Sequence, residues 1–223
     1  MPIVSAHVAH ALAAHAEVVF GVMGNGNAYL LDAVERDTDM AFVAVRHEAG
    51  GVVAADVHHR ASGRLAVATA TYGAGFTNTL TPLAEAVQAR VPLVLVVGDE
   101  PTTGPRPWDV DQVALAAAVG ARTWVLGVGA PAGATLDAIE HALAHRTAVV
   151  VAIPYDVATA DAGPLPALRD LALPSPVPPT ASDVDAVARL LASAERPLIL
   201  AGRGAWLAGA GAAIDAVADA VGA

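Results

Sequence analysis

Cysteine and lysine are both absent from the 223 residues, and each absence removes chemistry. Without Cys there is no disulfide framework and no thiol catalysis, and a cytoplasmic location is the default expectation. All twelve basic residues are Arg, so the chain offers neither the phosphate-gripping Lys of a P-loop nor a Schiff-base nucleophile. Positive charge is scarce: the net charge of −10 disfavours nucleic acid and anionic membranes, both of which need clustered cations. The one long uncharged run, Leu65 to Ala84, contains Asn78, five Thr, Gly73, Gly75 and Pro82. It reads as strand, turn and helix rather than a membrane span. No basic stretch leads into an apolar core at the amino terminus, so no secretory signal is expected.

What is present is a globular composition, 55% hydrophobic and 15% charged, enough for one domain and part of another. Val18–Val22, Ala41–Val45, Leu65–Ala70, Leu93–Val97, Thr123–Leu126 and Ala148–Ile153 are short apolar runs suited to buried strands. Helical patterns between them predict an α/β fold, a doubly wound parallel sheet with helices on both faces. Ser5–Ala16 predicts a leading helix with a Ser cap. Residues 1–156 form the expected first domain, and the Pro-rich stretch 157–180 the expected linker. Residues 181–223 read as the start of a second α/β domain: helix Ser182–Ala194, strand Pro197–Ala201, then a helical run to Val221. A lone strand–helix pair cannot bury its own faces, so this second domain is expected to be incomplete.

Three loops at the carboxyl ends of strands draw attention, because open α/β sheets bind ligands there. Gly21-Val-Met-Gly-Asn-Gly-Asn27 follows the first strand; its glycines serve either a bare strand-to-helix turn or a ligand loop. Arg46-His47-Glu48 ends the second. Glu48 is either the first-turn acid that a helix dipole favours or a catalytic carboxylate, His47 a ring hydrogen-bonder or a proton carrier, and Arg46 an ion-pair partner or a substrate clamp. Thr71-Tyr-Gly-Ala-Gly-Phe-Thr-Asn78 follows the third, where two glycines and an Asn allow main chain to approach a planar ring. Trp108-Asp-Val-Asp-Gln112 lies after the fourth and either caps a helix or lines a cleft. Gly127-Val-Gly129-Ala-Pro-Ala132 is a loose dinucleotide pattern, though Pro131 suits the first turn of any helix. His141 and His145 have zinc-helix spacing but no third ligand accompanies them or the other histidines, so no metal site is expected in this chain.

Gly21–Asn27, Arg46–Gly51, Thr71–Asn78 and Val91–Thr102, in that order, are similar to the marker segments of the pyrimidine-binding domain of thiamine-diphosphate (ThDP) enzymes of the acetolactate synthase and 2-oxo-acid decarboxylase type. Trp108–Gln112 and Ala194–Gly204 resemble further landmarks, so the resemblance covers essentially the whole chain. It implies that Glu48 hydrogen-bonds N1′ of the cofactor's aminopyrimidine, favouring the tautomer whose 4′-nitrogen removes a proton from the thiazolium C2. It also implies that Gly24, Gly26, Gly73, Gly75 and Asn78 line the cofactor cleft, with His47 and Trp108 on the substrate side, and that a 2-oxo acid is the substrate. Met23, Ala49 and Ala74 depart from the family pattern and leave the Glu in place. Family members bind the diphosphate through Mg²⁺ on a Gly-Asp-Gly segment with downstream Asn residues. Here Gly98-Asp99 is followed by Glu100, and Asn occurs only at 25, 27 and 78. The resemblance therefore implies that Mg²⁺ is held by a region outside this chain, and that the working form is a homodimer or homotetramer, because the family's cofactor lies between subunits. Three other readings stay open: the pyrimidine subunit of a two-subunit decarboxylase, a dinucleotide-binding oxidoreductase, and a noncatalytic ligand-binding module.

Overall fold

The computed structural model describes residues 1–223 and divides into two compact units, Met1–Pro174 and Ser175–Ala223. In the first, β1 (Val18–Gly21), β2 (Ala41–Ala44), β3 (Ala66–Ala70), β4 (Leu93–Asp99), β5 (Arg122–Val125) and β6 (Ala148–Pro154) form one sheet. The strand order is β2-β1-β3-β4-β6-β5 and every pairing is parallel. The six expected strands are therefore present, each within a residue or two of its expected bounds.

The helices of this unit are α1 (Val4–Ala13), α2 (Ala28–Asp37), α3 (Glu48–Ser62), α4 (Ala74–Thr77), α5 (Leu80–Gln88), α6 (Gln112–Ala118) and α7 (Pro131–His145). Successive strand residues point to opposite faces, so one run of Val and Leu serves two cores. Val94 and Val96 pack with residues of α1, α2 and α7, such as Leu12, Leu30 and Ile139. Leu93, Leu95 and Val97 pack with residues of α3, α4, α5 and α6, such as Val52, Phe76, Leu83 and Ala116. Helices cover both faces, as expected. No helix is long and apolar enough to cross a membrane.

One departure from expectation, at Ser5, has a local cause. Ser5 does not cap α1; it is buried one residue inside the helix, where its hydroxyl donates to the Ala158 carbonyl at 2.9 Å. The returning chain gives that hydroxyl a better partner than the helix end. Residues up to Pro174 belong to the first unit. Ile3 bridges Asp161, a His7 ring nitrogen meets the Gly163 carbonyl at 3.0 Å, and Arg169 pairs with Asp137 and Glu140 at 2.6 Å each.

The second unit holds α8 (Ala181–Ala192), α9 (Arg203–Leu207) and α10 (Gly211–Val221). Thr180 caps α8 by accepting from Asp183 N–H at 3.2 Å. The expected strand at Pro197–Ala201 does not form, because no neighbouring strand offers a ladder, and Leu198 and Leu200 are exposed. Gly209, at φ 63°, breaks the last run into two helices.

Sheet order fixes where a ligand site lies. From β1 the chain moves to β2 on one side, and β3 takes the place on the other, so the carboxyl ends of β1 and β3 flank the topological switch point. Phe76, the largest fully buried side chain, anchors α4 at this end. Its truncation, Phe76→Ala, is expected to cost about 3–5 kcal/mol of unfolding free energy, measured by denaturant titration. A loss under about 1 kcal/mol would show that α4 is not pinned by the core.

Candidate functional site

Main chain from several loops converges at the switch point. The β1–α2 loop is organised by Asn27, which is buried. Its Oδ1 accepts from Gly24 N–H at 2.8 Å, and its Nδ2 donates to the Val22 carbonyl and to Thr69 Oγ1, both at 3.0 Å. Thr69 in turn donates to the Val96 carbonyl at 2.8 Å, tying loop, β3 and β4 together. Gly26 N–H donates to Thr71 Oγ1 at 3.0 Å. A Cβ on Gly26 would meet Tyr72 Cδ1 at 2.7 Å, and one on Gly24 would meet Thr71 Cβ at 2.8 Å. The glycines expected to line a cleft thus also let the loops touch.

Glu48 enters from the second strand. His47, the N-cap of α3, uses its ring Nδ1 to accept from Ala49 N–H at 3.2 Å, and Glu48 occupies the first helical position, where the dipole favours an acid. A Cβ on Gly51 would lie 3.0 Å from Gly21 Cα, so α3 starts close against the end of β1. This close approach holds Glu48 at the crevice rather than in open solvent. The carboxylate is half-buried. Its Oε2 accepts from Asn78 Nδ2 at 2.9 Å. Its Oε1 has no hydrogen-bond partner in the chain, and a Cβ on Gly75 would sit 3.5 Å from it. The result is a carboxylate with one oxygen fixed and the other open.

The third loop is clamped from the far side. Gly73 adopts φ 61°, ψ −122° at the start of α4, a conformation that only glycine takes without strain. A Cβ there would meet the Trp108 carbonyl oxygen at 2.5 Å. It is this carbonyl, rather than the indole, that reaches the loop; the side chain is 58% exposed. Gly73 N–H donates to Gln112 Oε1 at 3.1 Å, while Gln112 Nε2 donates to the Gly98 carbonyl and to Asp99 Oδ1, each at 2.8 Å. Arg106 stacks on Tyr72 at 4.0 Å and on Tyr155 at 4.9 Å and pairs with Asp109 at 2.8 Å. Within the segment expected to cap a helix or line a cleft, Asp111 caps α6 by accepting from Ala114 N–H at 2.9 Å.

Glu48, Gly75 and Asn78 are thereby brought together, with Gly24, Gly26 and Gly73 in the interlocked loops behind them. His47 and Trp108 both lie exposed. Sequence reasoning missed the hydrogen bonds by which Asn27, Thr69, Thr71 and Gln112 hold the loops together. Thr69 and Thr71, polar residues where an apolar strand ends, were the available signal. The Gly127–Ala132 turn follows edge strand β5, away from the switch point. A Cβ on Gly127 or Gly129 would meet nothing within 4 Å, so neither makes the close approach of a dinucleotide fingerprint. No three His, Asp or Glu side chains group so as to hold a metal ion.

Residues 3–123 match the family model described as "Thiamine pyrophosphate enzyme, N-terminal TPP binding domain". Among similar proteins, an acetolactate synthase large subunit of Parasynechococcus marenigrum is 30% identical over 201 residues, covering 85% of this chain and 33% of that protein. A pyruvate oxidase of Lactiplantibacillus plantarum is 32% identical over 211 residues, covering 86% and 33%. A chloroplastic acetolactate synthase of Arabidopsis thaliana is 39% identical over 85 residues, covering 38% and 13%. The chain spans about a third of the length of the first two of these curated relatives.

Asp99 gives the site a pH signature. Burial lifts its carboxyl above the ordinary aspartate range, against the hydrogen bonds from Glu100 and Gln112 that favour the anion. An acid whose folded pKa exceeds its unfolded one weakens folding as pH rises between the two values, because the unfolded chain binds fewer protons there. Asp99→Asn removes that penalty. Its stability relative to the wild type is expected to improve as pH rises from the ordinary aspartate range upward, in denaturant titrations, and a difference independent of pH would refute the assignment.

Proposed function

We propose, given that this chain belongs to the family of thiamine pyrophosphate enzymes and carries their N-terminal TPP-binding domain, that it supplies the aminopyrimidine half of a ThDP site and that Glu48 activates the cofactor for work on 2-oxo acids. The observation that carries this reading is the carboxylate itself. Glu48 stands at the switch-point crevice with Oε2 fixed by Asn78 at 2.9 Å and Oε1 unpartnered.

That donor set fits an aminopyrimidine. The open Oε1 matches a protonated ring nitrogen, and Gly75 packs beside it against Thr71 without a side chain. Main chain at Gly24, Gly26 and Gly73 bounds the same crevice and suits a planar ring. Bound ThDP supplies an acidic thiazolium C–H and an electron sink for decarboxylation. Glu48 would hold a proton at Oε1 against the ring nitrogen it meets, the role of an acid–base partner to the aminopyrimidine. Asn78 keeps the carboxyl from rotating away. His47 and Trp108, exposed at neighbouring loops, are our candidates for contact with the oxo acid.

Mg²⁺ and the diphosphate fall outside this half. No three His, Asp or Glu side chains of this chain group to hold a metal ion, and the chain spans about a third of the length of the relatives it matches. The full site is then completed in a homodimer or homotetramer, and the product is that of decarboxylation or of acetolactate synthase-like carboligation.

The test is turnover. With ThDP, Mg²⁺ and pyruvate, the 223-residue chain alone is expected to release no CO₂. The polypeptide of the whole gene should turn over a 2-oxo acid, with kcat lowered about 100- to 10,000-fold by Glu48→Gln. Undiminished turnover by that variant would exclude Glu48 as the activating group.

A further inference from the structure

We infer that Gln112 is a positioning residue for Glu48, acting through Gly73, α4 and Asn78. This deepens the reading above and rests on it, since what Gln112 positions matters for catalysis only if Glu48 meets the aminopyrimidine.

Gln112 is 2% exposed, at the first position of α6, and uses its whole carboxamide. Oε1 accepts from Gly73 N–H at 3.1 Å; the two Nε2 hydrogens go to the Gly98 carbonyl and Asp99 Oδ1, both at 2.8 Å. Such complementarity fixes the amide's orientation, because exchanging its oxygen and nitrogen would set donor against donor and acceptor against acceptor. Gly98 and Asp99 close β4, a strand buried along its whole length, so the amide refers Gly73 to the core of the sheet.

Gly73 is held on two sides by one segment. The Gln112 amide takes its N–H, and the Trp108 carbonyl oxygen fills the space where a side chain would stand. Gly73 is the N-cap of α4, a helix of only four residues, and Asn78 is its C-cap. Within α4 the bonds Thr77 N–H to Gly73 carbonyl, 3.0 Å, and Asn78 N–H to Ala74 carbonyl, 3.1 Å, pass the position of the first residue to the last. Asn78 then holds Glu48 Oε2. Asn78 is exposed, so a surface hydrogen bond alone would not keep it in one place. The buried amide at the other end of the turn does. Burial of an unpaired amide costs free energy that an apolar residue would avoid. A residue present only for packing has no need of three matched hydrogen bonds.

The experiment uses the 223-residue chain, ¹⁵N-labelled, with thiamine as the probe. Gln112→Met keeps the bulk of the side chain and removes its hydrogen bonds. Gly73→Ala breaks the same link from the other end, through its positive φ and the Trp108 carbonyl, and decides the matter if Gln112→Met does not fold. Leu136→Ala, a buried truncation in α7 on the opposite face of the sheet, serves as a destabilised control. In both site variants the Gly73 amide should exchange faster and the Asn78 side-chain amide signal should move to its free position. Thiamine affinity should fall about 10- to 100-fold, as expected for loss of the shell that supports a binding group. Leu136→Ala should leave the Asn78 signal and thiamine affinity unchanged. The inference is overturned if the folded site variants keep the wild-type Asn78 signal, or if Leu136→Ala moves it equally. The Asn78 signal is read without ligand, so it decides the role of Gln112 even if the wild-type chain binds no thiamine, a result that would instead remove the proposed function.

Discussion

No side chain fits between the loop after β1 and the end of β4: a Cβ on Gly98 would lie 2.5 Å from Gly26 Cα. That main-chain contact is the constraint on which the rest of the site depends. It brings the loop after β1 across β3 to the end of β4, and Thr69 and Thr71 supply the hydroxyls that the loop's polar groups need. Buried backbone groups of a loop must find partners, and here they find them in neighbouring loops rather than in water. The crevice at the switch point is consequently walled by fixed main chain, and Glu48 is delivered to it by a helix that starts against the end of β1.

Rigidity and openness are divided between the two oxygens of one carboxylate. Oε2 belongs to the protein, through Asn78; Oε1 has no partner in the chain and lies beside Gly75. A general acid–base group works when its geometry is settled before the ligand arrives. The settled part extends from Glu48 through α4 to the buried carboxamide of Gln112. Arg106, stacked between Tyr72 and Tyr155 and paired with Asp109, keeps the connecting segment in register with that turn.

Much of this was legible in the sequence. Six apolar runs marked six strands because a parallel sheet buried on both faces permits little else. Glu48 was legible because strand end and helix start are local signals, and the glycine loops because tight turns have few solutions. Asn27 and Gln112 were not: their partners lie up to 42 and 39 residues away, and a lone Asn or Gln carries no periodicity to mark it. Ser5 was misread for the same reason, since its partner, Ala158, is 153 residues distant. The strand expected at Pro197–Ala201 failed differently. An apolar run becomes a strand only when another strand lies beside it, and Ser175–Ala223 contains helices alone.

The central claim is that an aminopyrimidine ring meets Glu48 Oε1 between the ends of β1 and β3, and a crystal structure with ThDP bound tests it most directly. The account predicts N1′ at hydrogen-bond distance from Oε1, about 2.6–3.2 Å, with Asn78 still on Oε2. An aminopyrimidine seated away from this crevice, or an Oε1 bonded to some other group while ThDP is bound, would contradict it.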